Sequence, residues 1–291
     1  MSMRKIRKAL ALIYFYIYSR IAPAFLKLDD KAVVFLTDAH EKLDGNLKAI
    51  SDYIDEEYAD LKLQSFCRGD RRRAISFSEF RAVCRAMSSC KYIILDDFYG
   101  LTSSMKLRNG QKLVQLWHGS GAFKKFGYSR LDGDMSLRAV HSGYRKYTGA
   151  LASSEGVRKC FAEAFDISVD KVRALGSPRS DILFDEDFKI LSKSKLISAF
   201  PELSGKKIIL FAPTYRGERV EAANYDFNKL EPEQFIKEIG EEYRVLVRWH
   251  PALRANIKSG RLNFKLPDGM IDVSDYPEVN ELIAASDILI T

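Results

Sequence analysis

The sequence predicts an α/β protein with two parallel, doubly wound sheets. Short apolar runs alternate with helical patterns throughout the 291 residues, and this spacing is typical of βαβ units. Two of the runs end in a histidine with a cationic side chain nearby, at His118 and at His250. Because ligands bind such sheets at the carboxyl ends of the strands, we expect each half of the chain to carry part of one site.

The first half contains the patterns of one complete Rossmann-like domain. Helical patterns follow Gly45 and cover residues 77–87 and 155–165. The length of the whole chain suffices for two domains of ordinary size. The predicted strands of this half are 33–36, 61–66, 92–95, 113–117, 150–154 and 171–175.

The second half contains fewer elements and is expected to be incomplete. A helix-containing crossing covers 185–200, and Pro277 is expected in the first turn of a helix that reaches Ala285. Residues 287–291 have the composition of a buried parallel strand, which needs neighbours and helices on both faces. We therefore expect a longer chain, with at least two further helices. The predicted strands of this half are 207–211, 244–249, 270–273 and 287–291.

These patterns predict three segments: an N-terminal segment 1–28, a first domain 29–184 and a second domain 185–291. The segment 1–28 starts with a basic stretch and continues with an apolar run in which Arg20 is the only charge. A spanning helix needs about 20 apolar residues, and Arg20 and Pro23 interrupt the run. A cleaved signal also fits the pattern. We favour an interfacial helix on anionic lipid, with a core helix packed on the first domain as the alternative.

Charge and cysteine spacing limit the classes of partner. The 46 basic and 39 acidic side chains leave a net charge of +7, which favours anionic partners such as a phospholipid surface or a nucleotide. A basic cluster at Arg68 and residues 71–73 has no interleaved aromatic residues and no nucleic-acid-binding motif, so we expect no nucleic-acid partner. The four cysteines have neither metal-ligand nor disulfide-framework spacing, and we predict no metal site.

Residues 115–125, Gln-Leu-Trp-His-Gly-Ser-Gly-Ala-Phe-Lys-Lys, are the most informative stretch of the chain. Glycine backbone N–H groups, lysine ammonium groups and an imidazole together are typical of a site that handles phosphate. A second stretch places Arg248 and His250 at the end of another strand. We expect the two histidines to converge on one cleft between the two halves.

Five motifs occur in order along the chain. They are Gly-Asn-x-Lys-Ala-Ile at 45–50, Gln-x-Trp-His-Gly at 115–119, Gly-Ser-Pro-Arg-x-Asp at 176–181, Ala-Pro-Thr-Tyr-Arg at 212–216 and Arg-x-His-Pro at 248–251. These motifs resemble those of the CDP-glycerol glycerophosphotransferases, which build poly(polyol phosphate) chains of the teichoic acid type. The resemblance covers about residues 35–291, and 287–291 begin a further family motif.

The resemblance implies the GT-B fold, with two facing Rossmann-like domains of which the second is incomplete here. It implies attack of an acceptor hydroxyl on the β-phosphorus of CDP-glycerol, with CMP as the leaving group. The acceptor would be a lipid-linked saccharide or polyol phosphate, and the protein would lie at the cytoplasmic face of the cell membrane as a peripheral protein. No tightly bound cofactor is implied, although Mg²⁺ could accompany the phosphates.

The resemblance also suggests a role for each candidate in the first half. His118 is the expected general base, and ordering of the loop is its alternative role. Gly119 and Lys124 are expected to bind substrate. Arg179 either binds phosphate or locks its turn onto Asp181, and we favour the lock.

In the second half, Arg248 and His250 are expected to bind the pyrophosphate and the charge that develops on CMP. The alternative is a capped strand end with a buried histidine, from which Arg248 faces away. Thr214 and Arg216 are further candidates for substrate binding, and for Arg216 a surface salt bridge is nearly as reasonable.

Two other functions fit the same motifs less well. One is a GT-B glycosyltransferase that uses a nucleotide sugar, and the other is an inactive, truncated paralogue that binds lipid or an anionic polymer. The motifs leave open glycerol or ribitol as the polyol, primase or polymerase as the activity, the acceptor and the oligomeric state.

Overall fold

The computed structural model describes residues 3–70, 73–130, 142–217, 222–227 and 231–291. Arg71 and Arg72 of the predicted basic cluster lie outside these ranges. The chain divides into two compact units, Met1–Ser180 and Asp181–Thr291. The predicted domain boundary, between residues 184 and 185, falls at the end of a 3₁₀ segment, Pro178–Phe184.

The first unit is built around a six-stranded, fully parallel sheet with the order β2-β1-β3-β4-β5-β6. The strands are β1 (Asp29–Thr37), β2 (Lys62–Cys67), β3 (Cys90–Leu95), β4 (Lys112–Gln115), β5 (Gly149–Ala152) and β6 (Val172–Ala174). The helices are α1 (Met3–Ile21), α2 (Gly45–Glu57), α3 (Phe77–Ser89) and α4 (Arg158–Phe165). All six strands that the apolar runs predict are confirmed.

The order of this sheet reverses between β1 and β3. The chain proceeds from β1 outward to β2 on one side, and from β3 to β6 on the other. Loops after the strands on either side of such a reversal diverge and leave a crevice at the carboxyl edge of the sheet. Asp96 follows β3, which flanks the reversal, and His118 follows the neighbouring β4, so both residues lie at the carboxyl edge of the sheet.

Aromatic side chains fill the core on the β4–β5 side of the sheet. Phe165 and Tyr147 are fully buried, and their ring centroids are 5.2 Å apart in an edge-to-face arrangement. The rings of Tyr144 and Trp117 also contact Phe165, at centroid distances of 5.7 and 5.4 Å. Such pairs add to the hydrophobic stabilisation of the buried area, so this cluster supports the loop that carries Trp117 and His118.

Helix α1 packs on the first unit with one face and is exposed on the other. On the packed face, Phe15 and Ser19 are buried, and the Ser19 hydroxyl accepts a hydrogen bond from the Lys106 N–H at 3.1 Å. Arg20 lies 3.4 Å from the centroid of the Tyr16 ring and donates to the Ser104 carbonyl at 3.3 Å. Four exposed residues of the other face form an apolar strip, namely Leu10, Ile13, Ile17 and Ile21.

None of the helices in the described ranges combines the length and the apolar character that crossing a bilayer requires. Within the first unit, α1 thus has the packing of the predicted core helix and also an apolar outer surface.

The second unit contains a four-stranded parallel sheet with the order β10-β7-β8-β9. Its strands are β7 (Lys207–Phe211), β8 (Tyr243–Val247), β9 (Met270–Asp272) and β10 (Ile288–Ile290), and its helices are α5 (Glu186–Ala199), α6 (Pro232–Ile239), α7 (Pro251–Lys258) and α8 (Val279–Ala285). The fold class is confirmed: two parallel sheets with helices, the second sheet smaller than the first.

Two details of the second unit differ from the sequence predictions. The pattern analysis did not predict α6 and α7, which have eight residues each. Pro277 lies before α8 and not in its first turn, since the helix begins at Val279 after an extended Glu278. That placement of Pro277 was wrong.

The aromatic core gives a test of the fold. Replacing Phe165 by alanine removes a fully buried ring and should lower the free energy of unfolding of the first unit by about 3–5 kcal/mol. Urea denaturation followed by circular dichroism measures the change. Phe123→Ala is the matched control, because the Phe123 side chain is 96% exposed and its loss should change the free energy by less than about 0.5 kcal/mol. Equal effects of the two substitutions would contradict the described packing.

Candidate active-site residues

The chain turns sharply where β4 ends. The strand stops at Gln115, two residues before the predicted end, and the Leu116 N–H still donates to the Leu95 carbonyl at 2.7 Å. Trp117 then adopts a left-handed backbone conformation with φ at 58°, which costs about 1–2 kcal/mol in a residue with a side chain. The indole ring stacks on Phe126 at 4.7 Å, so side-chain packing helps to maintain the turn. His118 therefore leaves the sheet at its carboxyl edge.

His118 is exposed, and a backbone partner determines its tautomer. Its Nδ1 lies 3.1 Å from the carbonyl oxygen of Asp96, at the end of β3. A carbonyl oxygen can only accept a hydrogen bond, so Nδ1 must carry the proton. In the neutral ring the lone pair is then on Nε2, which is the arrangement that a general base requires.

The Asp96 side chain is a second ionisable group at this edge. It is only 4% exposed, and burial raises the pKa of its carboxyl group, while the neighbouring His40 and His118 oppose the shift. Its Oδ1 receives no hydrogen bond from the described residues. A carboxylate in this position would offset the charge of an imidazolium at His118. In the sequence this group was visible only as an acidic residue after a strand.

The loop after His118 combines the other predicted features of the first stretch. A Cβ atom on Gly119 would lie 3.4 Å from the indole nitrogen of Trp117, so the absence of a side chain lets the loop pass close to that ring. Lys124 is exposed. The Ser153 hydroxyl, after β5, donates to the Ser120 carbonyl and ties the loop to the neighbouring strand.

The backbone of Arg179 is joined to the start of α2 in the first unit. The Arg179 N–H donates to Oδ1 of Asn46 at 2.9 Å, while the residue itself is exposed. Asn46 is buried at the start of α2 and also donates to the Trp117 carbonyl at 2.6 Å. Sequence reasoning did not single out Asn46, although it lies in the first of the five motifs.

In the second unit, Arg248 follows β8 and turns toward a neighbouring loop. Its guanidinium donates to the carbonyl oxygens of Tyr276 at 2.6 Å and Val273 at 3.4 Å. These bonds hold the segment that follows β9. These contacts agree with the alternative role considered for Arg248, in which its side chain stabilises the end of the strand and does not bind phosphate.

His250 is the N-cap residue of α7. Its Nδ1 accepts a hydrogen bond from the Ala252 N–H at 3.2 Å, and an N–H group can only donate. Nδ1 must therefore be unprotonated, and the neutral ring carries its proton on Nε2. His250 is exposed, and its ring lies 4.6 Å from the ring of Tyr215. Its outer nitrogen is a hydrogen-bond donor, the opposite of His118.

Thr214 and Arg216 lie in the loop after β7, and both are exposed. The Arg216 side chain donates to the Thr214 carbonyl at 3.4 Å. Two backbone hydrogen bonds pair Arg216 with Asn224. Tyr215 stands between the two candidates and contacts His250, so the motifs at 212–216 and 248–251 meet within the second unit.

Each unit thus gathers its own candidates at the carboxyl edge of its sheet. In the first unit these are His118 and Gly119, with Asn46 joining Trp117 to the backbone of Arg179. In the described ranges, no three histidine, cysteine or acidic side chains are placed to hold a metal ion.

Comparison with known proteins gives a consistent family relationship. Residues 17–291 match the family model described as CDP-Glycerol:Poly(glycerophosphate) glycerophosphotransferase. A teichoic acid poly(ribitol-phosphate) polymerase of Bacillus spizizenii is 33% identical over 99% of this chain, and a teichoic acid glycerol-phosphate primase of Bacillus subtilis is 29% identical over 99%. The chain spans 46% of the polymerase and 76% of the primase.

The fold is also similar to that of a solved structure. A structure of the wall teichoic acid polymerase TagF aligns with a TM-score of 0.65 and 19% sequence identity, over 99% of this chain and 74% of that chain. At this identity the likeness concerns the fold, and it agrees with the two-sheet α/β architecture described above.

The opposite tautomers of the two histidines can be measured directly. Long-range ¹H–¹⁵N correlation spectra of the imidazoles should show the Nδ1–H form for His118 and the Nε2–H form for His250, because their backbone partners impose these forms. The chain has only four histidines, and single substitutions assign the signals. The same tautomer at both positions would contradict the hydrogen bonds described here.

Proposed function

Because this chain belongs to the CDP-glycerol:poly(glycerophosphate) glycerophosphotransferase family, we propose that it transfers a polyol phosphate from a CDP-polyol to an acceptor hydroxyl and releases CMP. The observation that carries this proposal is the tautomer of His118. The exposed ring has its Nε2 lone pair available, beside a loop rich in glycine and lysine.

In the proposed reaction, Nε2 of His118 takes the proton of the acceptor hydroxyl as its oxygen attacks the β-phosphorus of the donor. A new bond forms between this oxygen and the β-phosphorus, and the bond from that phosphorus to the oxygen bridging to CMP breaks. CMP leaves with the electron pair. The imidazolium at His118 then returns its proton to solvent. General-base catalysis of this kind contributes about 10²–10⁴ to a rate.

We assign the donor phosphates to groups that can donate hydrogen bonds or supply positive charge. In the second unit, Nε2–H of His250 would donate to a phosphate oxygen and stabilise the charge that develops on CMP. Thr214 and Arg216 are exposed and would bind the same diphosphate. In the first unit, Lys124 and the Gly119 N–H would contact the transferred phosphate.

Arg179 and Arg248 have different places in this proposal. The Arg179 side chain is exposed and would bind phosphate while its backbone stays fixed. Arg248 would act indirectly, because its guanidinium is bonded to the carbonyls of Val273 and Tyr276.

With these assignments, the first unit is proposed as the acceptor side and the second as the donor side. An Mg²⁺ ion accompanying the donor phosphates would be compatible with the assignment.

The donor polyol has two candidates. CDP-glycerol follows from the family description, and CDP-ribitol follows from the poly(ribitol-phosphate) polymerase that is 33% identical. Both donors carry the same diphosphate and cytidine, so the residues assigned above serve either. The acceptor would be a lipid-linked saccharide or polyol phosphate at the cytoplasmic face of the membrane.

Release of CMP tests the proposed reaction. With bacterial membranes as the source of acceptor, the protein should release CMP from CDP-glycerol or CDP-ribitol, and His118→Ala should lower this rate by about 10²–10⁴. Circular dichroism and the melting temperature should be unchanged, because His118 is exposed. Turnover of a UDP-sugar without CMP release would instead favour a glycosyltransferase. Wild-type rates in the variant would remove His118 as the base.

We further propose that α1 binds an anionic lipid surface through its apolar strip. Ile13 and Ile17 are 56% and 53% exposed, and Arg7 and Lys8 at the start of the helix are exposed as well. Apolar side chains would enter the head-group region, while each basic residue near the surface contributes about 1 kcal/mol. Because Phe15 and Ser19 hold the other face on the first unit, the helix would lie along the membrane.

Vesicle binding tests this second proposal. The double substitution Ile13→Asp, Ile17→Asp should reduce co-sedimentation with phosphatidylglycerol vesicles by about tenfold or more, since it places charge in the apolar strip. Ile190→Asp is the control, because Ile190 is 68% exposed but lies on α5 in the other unit. Unchanged sedimentation of the double variant, or an equal loss in the control, would contradict this role of α1.

A further inference from the structure

Asn46 links three of the five sequence motifs. It lies in the first motif and is 4% exposed. Its Nδ2 donates to the Trp117 carbonyl at 2.6 Å, while its Oδ1 accepts from the Arg179 N–H at 2.9 Å and from the Ser177 hydroxyl at 3.1 Å. The amide therefore contacts the residue before His118 and the turn that carries Arg179.

A second buried amide holds the other side of Trp117. Oε1 of Gln115 accepts from the Trp117 N–H at 2.8 Å, and Nε2 of Gln115 donates to the Asp97 carbonyl at 3.1 Å and to the Tyr147 hydroxyl at 2.9 Å. Gln115 is fully buried. The N–H and the carbonyl of Trp117 are thus each bonded to a buried side-chain amide.

These two bonds act on a backbone that is under strain. Trp117 has φ at 58°, and a bulky residue keeps such a conformation only where its surroundings impose it. Without the two amides, the peptide groups of Trp117 would be free to rotate toward an extended conformation. That rotation would move the His118 ring away from the Asp96 carbonyl.

We propose that Asn46 is a positioning residue that holds His118 in the geometry and tautomer of a general base and keeps the Arg179 turn in register with it. This proposal rests on the function proposed for His118. Asn46 does not contact the reacting atoms. It acts through the Trp117 carbonyl, and Gln115 assists it from the N–H side.

The chemistry of the side chain explains why an amide is suited to this place. One end must donate to a carbonyl and the other must accept from an N–H and a hydroxyl, and a primary amide supplies both functions. The neighbouring backbone presents the side chain in this orientation: Gly45 has φ at 52°, and Asp44 caps α2 by accepting from the Gly45 N–H at 2.7 Å. An apolar residue of the same size would leave three polar groups without these bonds, and one of them, the Trp117 carbonyl, belongs to a buried residue.

The test compares Asn46→Leu with a matched control, Gln111→Met. Gln111 is also a buried amide of the first unit, 3% exposed. It donates to the carbonyls of Met87 and Cys90 at 2.8 and 2.7 Å, but it precedes β4, at the end of the strand opposite His118. Both substitutions replace a bonded amide by an apolar side chain of similar size, so both should lower the melting temperature by several degrees.

Only the Asn46 variant should affect His118. We expect its kcat for CMP release to fall by about 10–100-fold, the effect of a small misplacement of a catalytic group. In its imidazole ¹⁵N spectrum, His118 should change from the Nδ1–H form to a mixture of tautomers. Gln111→Met should keep both kcat and the tautomer.

A second variant, Asn46→Asp, tests the same proposal if Asn46→Leu does not fold. Asn46→Asp has the same shape and retains the acceptor for Ser177 and Arg179, but as a carboxylate it cannot donate to the Trp117 carbonyl. It should show the same loss of kcat and the same mixture of tautomers.

The outcomes separate the two proposals. Wild-type kcat and an unchanged His118 tautomer in both Asn46 variants would overturn the role of Asn46, and so would an equal loss of kcat in Gln111→Met. If the wild-type protein releases no CMP from either donor, the proposed function fails. The tautomer measurement, which needs no substrate, would then still support the positioning role if His118 changes only in the Asn46 variants, and would refute it otherwise.

Discussion

Each candidate histidine of this protein owes its chemistry to a backbone group beside it. A carbonyl at the end of β3 fixes the proton of His118 on Nδ1, and an N–H in the first turn of α7 keeps the proton of His250 off Nδ1. Parallel sheets make both partners available, because strand ends present carbonyls and helix starts present N–H groups at the same edge. The same side chain therefore presents a proton acceptor, Nε2, at His118 and a proton donor, Nε2–H, at His250.

The strands were predictable because their burial is continuous along the chain. A central parallel strand is covered on both faces, so it appears as an uninterrupted apolar run, as in β3 and β7. The end of β4 was less predictable. Trp117 has the residue type of a strand, and only the tertiary contacts with Phe126 and Phe165, together with the bonds from Asn46 and Gln115, place it in a left-handed conformation.

The sequence predicted which residue types belong to the candidate site, but it did not predict which groups their side chains contact. The stretch around His118 indicated a phosphate-handling site, because glycine, lysine and histidine occur together in one predicted loop. Arg248 carried a similar signal, yet its guanidinium is bonded to two carbonyls of the segment after β9. Asn46 belongs to one of the five motifs, but the sequence did not indicate its contacts, because its partners are far away along the chain. Side-chain direction and long-range partners depend on packing that local patterns do not encode.

The placement of Asn46 has a consequence for biosynthesis. Its partners Trp117 and Ser177 follow it by 71 and 131 residues, so the amide connects segments that leave the ribosome at different times. Contacts of such sequence separation form late, because a long loop must close first. A nascent chain that has emerged as far as the loop after β4 contains both this strand and His118, yet the anchor on the Ser177–Arg179 turn is still missing. The histidine would thus acquire its full support only after most of the first unit has been synthesised.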